Sequence, residues 1–210
     1  MQAYILLDRS GSMQSLWVEA LSSVNSFAKE LANKRDSPAD NSHITLAVFD
    51  SQQGLQFDVL RRKQPALHWE TVTDKEASPR GMTPLLDAMV RIISLAESDN
   101  PDKAVIVVMT DGEENASQEV KREGVKVALD RAKAKGWEVV FLGANFDNIS
   151  DASSVGVQGG QQMAMSAGTM DKSLASLARK SRFYAAESAP IEFNEEDRKV
   201  AKEANIKNKS

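Results

Sequence analysis

Cysteine is absent from the 210 residues, which excludes disulfides, thiolate nucleophiles and cysteine-based zinc sites. Such a chain is compatible with a reducing compartment. Histidine is nearly absent as well: His43 and His68 stand alone, far from any motif, and we assign them no role. Long apolar runs are missing. The longest, residues 104–109, is far shorter than the roughly 20 residues a bilayer-spanning helix needs. Neither charge sign dominates, and a formal net charge of -4 argues against a general nucleic-acid binder, which would carry a basic surface. No glycine-rich loop followed by Lys and Ser/Thr is present, so nucleotide hydrolysis has no anchor, and no Gly-x-Ser-x-Gly elbow supports a serine hydrolase. There is no internal repeat and no low-complexity tract. The chain enters a strand almost at once without a basic-then-apolar leader, so we expect no signal peptide, no membrane partner and a cytoplasmic protein.

What is present is a chain with 41% hydrophobic residues, enough for one good core and one domain. Residues 3–7 are apolar throughout, as in a strand buried on both faces of a parallel sheet. A helical face follows from Met13 through Leu16, Trp17, Ala20, Leu21, Val24, Phe27, Ala28 and Leu31. Residues 35–42 read as a loop and residues 43–49 as a second strand ending at Asp50. After Gln52-Gln53-Gly54 the alternation of Leu55, Phe57 and Val59 predicts an antiparallel edge hairpin, with Arg61, Arg62 and Lys63 blunting the edge. Residues 64–82 form a long connection of the kind that is often functional. Thr83 and Pro84 suit the N-cap and first position of a helix carrying Leu85, Leu86, Met89, Ile92, Ile93 and Ala96. Residues 104–109 predict the central strand, and residues 117–135 a charged helix ended by Gly136. A fifth strand spans 137–142, a short last strand 161–166, and a final helix 170–184 with Leu174, Leu177, Ala178 and Phe183 inward. The tail beyond Ala186 mixes both charges, and its residues leave a packed helix and a frayed end equally open.

Strands alternating with helices predict an α/β fold: a doubly wound, mostly parallel central sheet with one antiparallel edge strand and helices on both faces. In that architecture the site lies at the carboxyl ends of strands, where the strand order reverses. The stretch Leu7-Asp8-Arg9-Ser10-Gly11-Ser12 puts hard oxygen donors into one turn at such an end, chemistry that suits Mg²⁺ or Mn²⁺ better than zinc. Asp111 ends the central strand and Thr83 begins a helix facing the same crevice. The expected site is therefore Asp8, Ser10, Ser12, Thr83 and Asp111.

Asp8-x-Ser10-x-Ser12, the threonine in Gly81-Met82-Thr83-Pro84-Leu85, and Asp111-Gly112 together resemble the von Willebrand factor A (VWA) domain family and its metal-ion-dependent adhesion site (MIDAS). The fragments Thr110-Asp111-Gly112-Glu113-Glu114-Asn115 and Phe141-Leu142-Gly143-Ala144-Asn145 look most like its stand-alone bacterial or phage members. The resemblance implies a Rossmann-like VWA domain over residues 1–186, followed by the charged tail over 187–210. It implies that Ser10, Ser12 and Thr83 bind a divalent cation through their hydroxyls, directly or through water. Asp8 and Asp111 would orient waters or ligate directly. Mg²⁺ is the first choice, Mn²⁺ and Ca²⁺ the alternatives. It also implies a non-enzymatic module whose cation captures an Asp or Glu of a protein partner, with no nucleic acid involved.

Taken singly, the same residues have plainer readings. Thr83 and Ser12 are good helix caps, Asp111-Gly112 is a turn, and Asp8 is a loop aspartate. Glu113 and Glu114 read as solvated residues after a turn, Met163, Met165 and Met170 as core filler. Arg9 adds positive charge beside the site. Trp69 is the best interface anchor among the tryptophans, with a packed role favoured. Two rival functions remain. A metal-dependent phosphatase-like hydrolase would use Asp8 as nucleophile, but Ser10 stands where a second acid is needed. A structural assembly protein would keep the site as a vestige.

Overall fold

The computed structural model describes residues 1–33, 41–143, 152–164 and 167–203. Its first strand, β1 (Gln2–Asp8), dictates the layering. Ala3, Ile5 and Leu7 point to one side and Tyr4 and Leu6 to the other, and all five are fully buried. A strand apolar on both faces needs a helical layer over each. The first face packs against α1 (Trp17–Leu31) and α4 (Met170–Glu187), the second against α2 (Leu85–Asp99) and α3 (Arg122–Ala134).

Five more strands complete the sheet: β2 (His43–Ser51), β3 (Leu55–Pro65), β4 (Ala104–Thr110), β5 (Glu138–Gly143) and β6 (Gln162–Ala164). Their order is β3-β2-β1-β4-β5-β6, with every neighbouring pair parallel except β2 and β3. The doubly wound sheet with one antiparallel edge strand is therefore present. All seven residues of β4 are buried, and it lies at the sheet centre beside β1. From β1 the chain first builds outward through β2 and β3, then returns through α2 to β4 on the opposite side of β1. That reversal opens a crevice at the carboxyl ends of β1 and β4. In the pairing of these strands Leu7 lies opposite Met109, which brings Asp8 to the end of β4.

Several expectations change in detail. The helix expected from Met13 begins as a 3₁₀ turn, Gly11–Ser15, and becomes α-helical only at Trp17. Met13 is buried, but its N–H bonds to the Ser10 carbonyl at 3.1 Å, so the loop tightens before the helix starts. The helix expected over 117–135 begins at Arg122, and the N–H groups of Gln118 and Val120 ahead of it are bonded to the Asp87 carboxylate. Phe183 is 51% exposed, and Tyr184 takes the inward position. Leu174, Leu177, Ala178, Ser181 and Tyr184 share one stripe, while Phe183 lies about 120° around the helix from Leu177. Arg61, Arg62 and Lys63 lie within edge strand β3 and are paired with Glu76 and Asp99.

Trp69 is partly buried and donates its indole N–H to Asn25 Oδ1 at 2.9 Å, a packed role. Met163 and Met170 are buried core residues. The tail packs back on the body as far as it is described. Ile191, Phe193 and Ala201 join the core beneath α1 and α4, and the short helix α5 (Glu195–Val200) opens with an Asn194/Asp197 capping box. Most of the loop expected at 35–42, the polar segment after Gly143, Met165, Ser166 and the last tail residues lie outside the described residues. Among the described residues no helix is long and apolar enough to cross a membrane.

Candidate metal centre

The loop after β1 is organised by Asp8. Its side chain is fully buried; Oδ1 accepts the Ser10 N–H at 2.7 Å, and Oδ2 accepts the Thr110 hydroxyl at 2.6 Å. One carboxylate thus folds the loop back on itself and ties it to the end of β4. The 3₁₀ turn then lifts Ser12 to the surface while Ser10 stays buried. Their hydroxyl oxygens are 3.0 Å apart, and Ser12 Oγ donates to Asp111 Oδ1 at 2.8 Å.

Thr83 reaches the same place from a third segment. Gly112 is the contact point: a Cβ there would stand 2.6 Å from Thr83 Oγ1 and 3.3 Å from Ser12 Oγ. Only glycine allows the Asp111 loop to approach both hydroxyls this closely. Thr83 is also clasped by Asn115, whose Oδ1 accepts the Thr83 N–H at 2.9 Å and whose N–H donates to the Thr83 carbonyl at 3.1 Å. The segment before Thr83 is tied to the first loop by Gly11 N–H to the Gly81 carbonyl at 3.1 Å and Arg80 N–H to the Arg9 carbonyl at 2.7 Å. Ser10, Ser12, Thr83 and Asp111 therefore meet at the crevice, with Asp8 behind them.

Besides Asn115, four supporting residues escape a reading of the sequence. Thr83 is not the helix cap: α2 starts at Leu85, with Pro84 at its cap position and no side-chain cap of its own. The cap comes from the loop after β4. Glu114 Oε2 accepts the Leu86 N–H at 2.9 Å, and Ser117 Oγ accepts from Leu86 and Asp87 at 3.1 and 3.2 Å. Glu114 is thus a capping residue and no solvated bystander. Asp87 returns the arrangement, its buried carboxylate accepting N–H bonds from Gln118, Glu119 and Val120. Acidic residues near the first turn of a helix were the one available signal, but a cap supplied from about 30 residues away leaves no local motif.

Arg9 is the fourth. Its charge does not face an incoming anion: the side chain is buried, with Nε 2.6 Å from Asp50 Oδ1 and a terminal nitrogen 2.5 Å from Asp58 Oδ2. Arg80 adds a 3.1 Å contact to the other oxygen of Asp50. The guanidinium is consumed in bracing β2 and β3 against the site loops.

Burial pushes the Asp8 carboxyl up to about 6, against the lowering effect of its bonds from Thr110 and Ser10; the neighbouring Asp111 raises it further. Asp111 is raised as well, chiefly by burial, with the Ser12 hydrogen bond opposing. Two carboxylates held at a cost beside three hydroxyls form a surrounding that favours a cation. Among the described residues no three His, Cys, Asp or Glu side chains gather as a metal would need, so any candidate set must include the hydroxyls. That set is all oxygen, the donor type of hard cations. Ligands about 2.0–2.1 Å from Mg²⁺ at right angles stand about 2.9 Å from one another. Ser10, Ser12 and Asp111 are linked by hydrogen bonds of 3.0 and 2.8 Å, which keeps their oxygens close enough to share one ion.

The sequence profile of the von Willebrand factor type A domain matches residues 4–183. Comparison with curated proteins finds no match. Among solved structures, proximal thread matrix protein 1 (PTMP1) from the mussel byssus is similar at 18% identity with a TM-score of 0.57, covering 88% of this chain and 47% of that one. A further structure of PTMP1, described with a zinc-occupied MIDAS motif, has a TM-score of 0.55 at 17% identity, with 88% and 47% covered. The PilB minor pilin from Streptococcus sanguinis is similar at 13% identity and a TM-score of 0.60, over 86% of this chain and 61% of that one. The chain thus spans about half the length of the first of these proteins. At such identities the likeness is one of fold.

Proposed function

The chain belongs to the von Willebrand factor type A domain family, and on that premise we propose that it is a non-enzymatic protein-interaction module. It holds a divalent cation, Mg²⁺ in first place, and captures an acidic residue of a protein partner. The working unit is residues 1–186, with 187–210 as an appended tail. Ser10, Ser12 and Thr83 hold the cation through their hydroxyls, and Asp8 and Asp111 anchor them or ligate. The observation that carries this reading is the meeting of oxygens from three separate segments, at 3.0 and 2.8 Å through Ser10, Ser12 and Asp111, with Thr83 Oγ1 across Gly112. The zinc-occupied MIDAS of a similar fold supports a cation at this place.

When bound, the cation supplies positive charge that neutral hydroxyls leave largely unsatisfied, so an outside carboxylate is attracted to it. The chain's own residues do the rest. Asp8 keeps Ser10 turned toward the crevice by holding its N–H, and Asp111 accepts the hydrogen bond of the Ser12 hydroxyl, an orientation that would leave that oxygen's lone pairs toward an ion. Asp8 is ill suited to nucleophilic attack: it is fully buried and both oxygens accept hydrogen bonds. This favours binding over hydrolysis.

The test is calorimetric titration of the protein with Mg²⁺ and Mn²⁺, followed by affinity capture from the source cell with Mg²⁺ or with chelator. Asp8→Ala and Thr83→Ala are expected to lose the cation and the metal-dependent partners while keeping the fold. A partner held equally well in chelator favours the vestigial reading. Turnover of a phosphoester panel that dies on Asp8→Asn favours the hydrolase.

A further inference from the structure

We propose that Glu114 is a positioning residue of this centre: it locks the loop carrying Asp111 onto the first turn of α2 and thereby sets the relation of Asp111 to Thr83. The proposal rests on the metal-binding reading above.

The Glu114 carboxylate is fully engaged by donors from two segments. Oε1 accepts the N–H groups of Ala116 at 3.0 Å and Ser117 at 2.7 Å, folding its own loop. Oε2 accepts the Leu86 N–H at 2.9 Å and the Ser117 hydroxyl at 2.7 Å, reaching the helix. Glu114 lies three residues after Asp111, and Leu86 three after Thr83, so one side chain joins the two segments close to both groups. The carboxylate also sits at the positive end of a 15-residue helix, where a negative charge is favoured. Asn115 strengthens the same connection through its two bonds to Thr83, and Asp87 closes it from the helix side. None of Glu114, Asn115 or Asp87 belongs to the candidate ligands. Their work is to hold Gly112 against Thr83 Oγ1 and Ser12 Oγ, an approach that leaves no room for even a methyl group. A cation with strict geometry needs its ligands placed within about 0.5 Å, and that placement comes from supporting side chains of this kind.

Glu114→Gln is the informative change because it alters one atom. Its NH₂ group must face N–H or O–H donors on whichever side it turns, so one half of the connection is lost and replaced by repulsion. The experiment is Mn²⁺ titration of the full chain, followed by electron paramagnetic resonance in the cold, with thermal unfolding measured separately in chelator. Wild type is expected to bind Mn²⁺ and Ser12→Ala to lose it. Glu114→Gln is expected to bind about tenfold more weakly, the usual size of an outer-shell loss, while remaining folded at the titration temperature. A merely structural role would lower the unfolding temperature in chelator and leave the Mn²⁺ affinity of the folded protein unchanged; that result overturns the proposal. Should Glu114→Gln fail to fold, Asn115→Ala carries the same expectation, and failure of both to fold also overturns it. Wild type that binds no Mn²⁺ sinks the metal reading itself, whereas wild-type binding matched by both variants sinks only the role of Glu114.

Discussion

Replacing Gly112 by alanine isolates the close approach on which the centre depends. Its φ is not in the left-handed region, so alanine introduces no backbone penalty and the effect is purely one of space. The added Cβ would stand 2.6 Å from Thr83 Oγ1, and ordinary contact begins at 3.4 Å, so the hydroxyl or the loop must yield by about 0.8 Å. Thr83 is 2% exposed and clasped by Asn115 through both backbone groups, so neither partner moves freely. Crowding a packed site by one methyl costs about 1–3 kcal/mol of stability. Metal affinity suffers more, because a displacement of 0.8 Å exceeds the ligand tolerance of about 0.5 Å. The expected result is a loss of at least tenfold in Mg²⁺ or Mn²⁺ affinity by calorimetry, in a protein that still folds in chelator. Gly112→Ala with wild-type affinity would refute the placement of Thr83 and Ser12 as partners in one site.

Four further outcomes follow from other parts of the molecule. Arg9→Met leaves the buried Asp50 with the exposed Arg80 as its one cationic partner among the described residues and is expected to cost about 3 kcal/mol, read as a lower urea midpoint at unchanged slope. Asp99 should govern part of the acid response. Burial by itself would raise its carboxyl, but hydrogen bonds from Arg62, Lys63 and Tyr4 prevail and hold it at about 2 against an ordinary 3.8. A value depressed in the folded state stabilises above pH about 4, and that contribution is lost as the pH falls toward 2. Urea unfolding of wild type and Asp99→Asn at about pH 5 and about pH 2.5 should show a smaller pH dependence in the variant. Finally, Phe183→Ser is expected to change stability by no more than about 0.5 kcal/mol. Tyr184→Phe removes the 2.6 Å hydrogen bond to the Gly136 carbonyl and should cost about 1 kcal/mol in the same unfolding assay.

The parts of the fold legible in the sequence are those with local causes. Apolar runs without alternation identified β1 and β4 as buried on both faces, and period-two alternation after Gly54 identified β3 as the antiparallel edge. Gly136 adopts φ 72° at the end of α3, the conformation its position after a charged helix implied. Errors came where two distant segments compete for the same backbone groups. Residues 117–121 have helical composition, yet α3 starts at Arg122, and the segment before it is bonded instead to the Glu114 and Asp87 carboxylates. Thr83 has the chemistry of a cap, but a cap from across the crevice serves α2 instead. At Phe183 a choice of one residue between two aromatic neighbours is decided by angle around the helix, which composition does not reveal.

By itself, then, the sequence determined the α/β class, the succession of strands and helices, and the oxygen donors carried at strand and helix ends. Those depend on residue type and short spacing, which act through the nearest turns of backbone. Only the tertiary structure decided that Arg9 is spent on Asp50 and Asp58, that Glu114 and Asn115 fasten the third segment, and that Gly112 sits within a methyl's breadth of two hydroxyls. Each of these pairs groups about 30 or more residues apart. Which distant groups meet is set by how the whole sheet and its helices pack, since no local preference encodes a distance across the crevice.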